Sequence, residues 1–229
     1  MKTLPLFRGR VGEGFGVFFQ PMGKGRVEAF SDGIFAIAGT LLILNVHVDK
    51  TRPGGLVDAL LAAWPSYAAY VASFLTIGVM WMNHHSLFVR IVRLDRTLVF
   101  LNLLLLMVIV FLPFPTALLG ENILIPQDAR TAATFYALDC LAIAICFSAV
   151  WGYALMHEEV LSPDLDRQLA LRIWPRFTVG PLVYLACIPL AQVSPVAVIV
   201  VCAAVAVYYT FERLPELTRK TAGAPPTRV

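Results

Sequence analysis

Asp32 stands near the start of residues 26–48, RVEAFSDGIFAIAGTLLILNVHV, a stretch otherwise apolar and long enough to cross a bilayer. A carboxylate placed there costs roughly 2.5–3.5 kcal/mol on insertion scales, so it needs a partner or contact with water. A second apolar stretch closes on Trp81-Met82-Asn83-His84-His85, and a third carries Asn102 about one turn in. If successive helices run antiparallel, Arg26, Ser31, Asp32, Asn83, His84 and Asn102 can meet near one membrane face. Arg26 and Asp32 lie about 240° apart around their own helix, so their partners belong on neighbouring helices or on another subunit. Two chemistries suit such a cluster. One is a polar lock between helices; the other is a site that conducts or senses protons or cations, for which a histidine titrating near neutral pH is fitted.

The opposite stripe of the first span is aliphatic. Ile37, Leu41 and Leu44 recur at helical spacing, with Phe30 and Ile34 extending the line, while Gly33, Ala36, Gly39 and Thr40 run beside it. Spacing alone is compatible with helix packing, with lipid contact, or with a lining for a shared pathway. No span carries a His-Glu-x-x-His pair or two carboxylates one turn apart, and His157-Glu158-Glu159 falls at a helix end, so no catalytic residue is expected and the chain does not read as an enzyme. Cys140, Cys146, Cys187 and Cys202 lie in apolar runs without ligand spacing, so they read as small core residues; neither a metal nor a cofactor is expected.

The elements that must position these groups are membrane helices. Hydrophobic residues make up 59% of the chain and charged ones 14%, against about a quarter charged in soluble domains. The sequence predicts an all-α, polytopic fold with six spans, at about 28–48, 64–85, 98–119, 132–155, 174–193 and 195–212. The last two meet in a tight turn at Val193 to Pro195; Pro113 and Pro115 should end or bend the third span, Pro189 should kink the fifth, and Pro65 and Pro175 sit in first turns. Lys50, Arg52 and Arg130 fall on one side of the membrane and every other Lys and Arg on the opposite side, which places both termini in the cytoplasm. The net charge of +3 is small and spread over loops, so lipid rather than nucleic acid is the expected partner. Residues 1–25 read as a flexible or interfacial arm, 26–217 as the six-helix domain and 218–229 as a disordered tail.

Arg26-x-x-x-Phe30-Ser31-Asp32, followed by Gly33-Ile34-Phe35-Ala36-Ile37-Ala38 and Thr40-Leu41-Leu42, closely resembles the signature of the transmembrane protein 175 family. The likeness continues in Ser73-Phe74, Gly78, Trp81, Asn83-His84-His85, Asn102 and Pro113-Phe114, covering roughly residues 24–120; later spans match only in hydropathy. The resemblance implies a potassium-permeable cation channel of the cell inner membrane, with one six-helix unit per chain, assembled as a homotetramer around helix 1. It implies a hydrophobic constriction at Ile37, with Leu41 and Leu44 as further layers and Thr40 as an adjacent polar one. It also implies a structural role for Arg26, Ser31 and Asp32 in joining helix 1 to its neighbours. No Thr-Val-Gly-Tyr-Gly filter is present. Animal members carry a serine at the position of Ala36, tied to potassium preference; Ala36 offers no hydroxyl, so selectivity should be weaker. The alternative is a proton- or cation-coupled secondary transporter using Asp32 and His84, although residues 28–119 and 132–212 share no visible repeat.

Overall fold

Helices account for nearly all of the chain that the computed structural model describes, which is residues 23–48, 54–166, 168, 170–171 and 179–211. Among these residues the helices are α1 (Lys24–Leu44), α2 (Gly55–Ala62), α3 (Trp64–Arg90), α4 (Arg96–Phe111), α5 (Pro113–Asn122), α6 (Ala129–Met156), α7 (Val179–Val193) and α8 (Pro195–Phe211), with one 3-10 turn at Glu158–Val160. Apart from Gly23–Gly25, the expected N-terminal arm lies outside the described residues. So do the expected tail, Pro175 and the start of the fifth predicted span.

Several boundaries differ from the sequence expectation. α1 starts earlier and stops at Leu44 rather than 48, because Asn45 caps it and sends its side-chain amide to the Pro113 carbonyl at 2.8 Å. The second span is extended in both directions. α3 runs on to Arg90, and α2 precedes it across a 44° bend at Ala63, with Pro65 in the first turn of α3 as expected. Gly54, at φ 107°, opens α2; a Cβ there would lie 1.9 Å from the Asp58 carboxylate, so only glycine fits this turn. The predicted third span is divided at Leu112 into α4 and α5, since Pro113 and Pro115 supply no N–H to the helix ladder.

Among the described residues, three helical stretches are long and apolar enough to cross a membrane: Lys24–Leu44, Arg96–Asn122 and Ala129–Met156. The bent α2–α3 pair makes a fourth, and α7 and α8 are shorter apolar helices. They form the expected hairpin around Ser194, whose N–H donates to the Leu190 carbonyl at 2.8 Å.

α6 is the central helix, packing on α7, α4, α5 and α8. α3 bridges α5, α8 and α1, while α1 lies at one edge and packs chiefly on α3 and α4. Where α3 crosses α5, a Cβ on Gly120 would stand 2.9 Å from the Ser66 Cα, so the approach of these two helices depends on the missing side chain. The four cysteines are free, as expected: Cys140, Cys187 and Cys202 buried, Cys146 half-buried.

Candidate functional site on the first helix

α1 presents two unlike faces. Val27, Ser31, Phe35, Ala38, Gly39 and Leu42 are buried against the bundle. Ile37, Leu41 and Leu44 lie on the opposite side, 50%, 38% and 67% exposed, with Phe30 and Ala36 also uncovered. Thr40 joins the uncovered face, and its hydroxyl donates to the Ile37 carbonyl at 2.9 Å. The rise from Ile37 to Leu44 is roughly 10 Å, a long aliphatic strip left partly open by the described residues of its own subunit.

The buried face is held by a polar chain across three helices. The Ser31 hydroxyl donates to the Val27 carbonyl at 2.8 Å and accepts from the Asn102 amide at 3.0 Å. The Asn102 carbonyl oxygen then meets His84 Nε2 at 2.8 Å. Because the amide nitrogen of Asn102 is committed to Ser31, its oxygen is the acceptor, and His84 must carry its proton on Nε2. The His84 ring is stacked on Phe88 at 4.2 Å and tilted against Phe35 at 5.3 Å. Ser31, His84 and Asn102 are all essentially buried, so the three groups satisfy one another away from water.

Asp32, one residue further and about 100° round the helix, points elsewhere. It accepts from Trp81 Nε1 at 2.9 Å on the exposed side. The pair closes one end of a groove of about 470 Å³ between α1 and α3, lined by Phe35, Ala36, Gly39, Thr40, Phe74 and Ile77 among others. Thus α1 is tied to α3 directly through Asp32 and to α4 through Ser31. Of the six residues expected to converge, Ser31, His84 and Asn102 form one chain and Asp32 joins Trp81 instead. Asn83 is half-buried and takes no part in either set of bonds. Arg26 is exposed, and among the described residues no ion pair joins it to Asp32.

Sequence reasoning missed a second buried network. The Ser73 hydroxyl lies 2.8 Å from that of Thr116 and 3.0 Å from that of Tyr136, joining α3, α5 and α6. It also missed the tie between the Tyr153 hydroxyl and Asp95, 2.5 Å long, by which α6 holds the capped start of α4. A hydroxyl in an otherwise apolar run was the available signal for Thr116 and Tyr136. Hydroxyls that bond only to their own helix look the same in sequence.

Residues 26–113 match the family model described as the endosomal/lysosomal potassium channel TMEM175. A protein of Streptomyces collinus named as a potassium channel is 47% identical over 200 residues, which span 87% of this chain and 97% of the relative. The human protein named endosomal/lysosomal proton channel TMEM175 is 35% identical over 156 residues, covering 64% of this chain but 31% of its own length. The crystal structure of a lysosomal potassium-selective channel TMEM175 homolog from Chamaesiphon minutus superposes with a TM-score of 0.74 at 43% identity, covering 82% of this chain and 96% of that one. With sequence and fold shared over almost the full length of such relatives, this chain belongs to the TMEM175 channel family.

Proposed function

We propose that this protein is a potassium-permeable cation channel in which four copies of α1 surround a common axis, both termini being cytoplasmic and the membrane a cell inner membrane. Ile37, Leu41 and Leu44 form successive hydrophobic rings, and Thr40 supplies a polar layer between them. Potassium ions pass after partial dehydration at this neck, without a cage of backbone carbonyls, and small movements of α1 wet or dry it. One observation carries the reading: the aliphatic strip of α1 is left largely open by the described residues of its own subunit, while the polar groups of its other side are spent on α3 and α4. Membership in a family whose bacterial relatives are named potassium channels supports it.

Reversal potentials of the reconstituted protein in mixed potassium and sodium solutions test the proposal. Unitary currents favouring potassium are expected; turnover too slow for a channel would move the reading to a coupled transporter. Cysteines placed at 37, 41 and 44 should react with water-borne reagents, and protection of all three would remove α1 from the pathway.

Asp32 acts as a clamp in this scheme. Asp32→Ala removes the acceptor for Trp81 Nε1, a charge-assisted bond worth about 1 kcal/mol at an exposed site. The expected outcome is a smaller tetramer fraction in size-exclusion chromatography with light scattering. Full assembly with lost potassium flux would instead put Asp32 in the ion path.

A further inference from the structure

One carboxylate belongs to neither network. Asp139 lies about ten residues, or roughly 15 Å of rise, inside α6 from its Ala129 end. It is 6% exposed, and its Oδ2 is buried with no hydrogen-bond partner among the described residues. One turn before it Phe135 packs edge-on against Phe111 and Phe114, and one turn after it Ile143 is buried. The helix carrying it packs chiefly on α7, α4 and α5, not on α1.

Among the described residues, none of these elements offers a counter-ion. Beyond Asn102, α4 reads LLLLMVIVF, and α7 and α8 contain no Lys, Arg or His. Arg130 and Arg96 stand at the two ends of the α4–α6 pair, each more than about 10 Å of helix rise from Asp139. The Tyr136 hydroxyl meets Ser73; Cys140, Tyr184, Cys187 and Cys202 are buried and bring no positive charge; and Glu121 on α5 is only a further carboxylate. Magnitudes decide the form of such a carboxyl. An unpaired ion in this setting costs several kcal/mol, while a neutral acid short of one hydrogen bond costs about 1–3 kcal/mol.

We propose that Asp139 is a proton-binding site inside each subunit, separate from α1, which holds a proton while α6 is packed and releases it only when α6 opens to water. Because the packed state holds a proton that the opened state releases, this carboxyl's contribution to stability falls as pH rises.

Infrared difference spectroscopy of the purified full chain against Asp139→Asn at neutral pH tests the proposal. A protonated-carboxyl stretch present in the wild type and lost in D139N supports it; loss of ionised-carboxylate bands instead overturns it. Melting temperature measured from mildly acidic to alkaline pH gives a second readout. Both should lose stability in alkali as the buried phenols and thiols titrate, and the wild type should lose more than D139N; parallel curves overturn the assignment. If D139N does not assemble, Asp139→Glu serves: a shifted protonated-carboxyl band supports the site, and an unshifted one overturns it.

Discussion

Replacing Ile37 by asparagine is expected to raise potassium flux through the reconstituted protein by roughly ten- to a hundredfold. A fully apolar ring resists an ion because water leaves it. Exposing an isoleucine side chain to water, or restoring polarity in its place, is worth about 1.5–3 kcal/mol, and each 1.4 kcal/mol on a barrier is about tenfold in rate. One amide per subunit supplies donors and acceptors to hydrated cations at the narrowest layer. Ile37→Asn should be tolerated structurally, since Ile37 is half exposed. Liposome flux with equal protein loading measures the effect. The same substitution at Leu44, 67% exposed and nearer the helix end, should act in the same direction with a smaller effect. An unchanged or reduced flux in Ile37→Asn would take Ile37 out of the constriction.

Asn102→Ala is expected to cost about 2–4 kcal/mol of stability. Net hydrogen bonds between membrane helices average only about 0.6 kcal/mol in double-mutant cycles, which would make Asn102 look dispensable. That average misses the asymmetry of deletion. Without Asn102, the His84 Nε2–H loses its acceptor and the Ser31 oxygen loses a donor, both in buried positions, each worth about 1–3 kcal/mol when abandoned. For a chain of this size that is roughly 4–16 °C in melting temperature. Ser31→Ala should cost less, about 1–3 kcal/mol, because it abandons only the Asn102 amide N–H while Asn102 still pairs with His84. Detergent-solubilised protein followed by thermal unfolding measures both. Since the network lies on the side of α1 away from Ile37, the folded fraction of Asn102→Ala should conduct like the wild type. Wild-type stability with lost current would identify Ser31, Asn102 and His84 as part of the ion path rather than its support.

Local composition sufficed for some of this. The apolar runs reveal membrane helices because transfer from water to lipid is a sum over neighbouring residues. The period of Ile37, Leu41 and Leu44 places them on one face whatever the partner. Ser31, Asp32, His84 and Asn102 were legible as polar groups needing partners, since a polar atom in an apolar run is conspicuous. Which partner each would take was not. Ser31 and Asp32 are adjacent in sequence yet serve different helices, and a modest rotation of α1 about its axis would exchange their neighbours.

From the amino acids alone, then, come the membrane class, the stripe on α1 and the shortlist of polar residues, all properties of one helix read along its own axis. Tertiary structure decided that Asp32 pairs with Trp81 while His84 pairs with Asn102. It decided too that Thr116 and Tyr136 share Ser73, and that the Asp139 Oδ2 is enclosed without a partner among the described residues. These depend on the depth and rotation at which helices pack. Such relations are set by the fit of side chains across an interface, which no single helix contains.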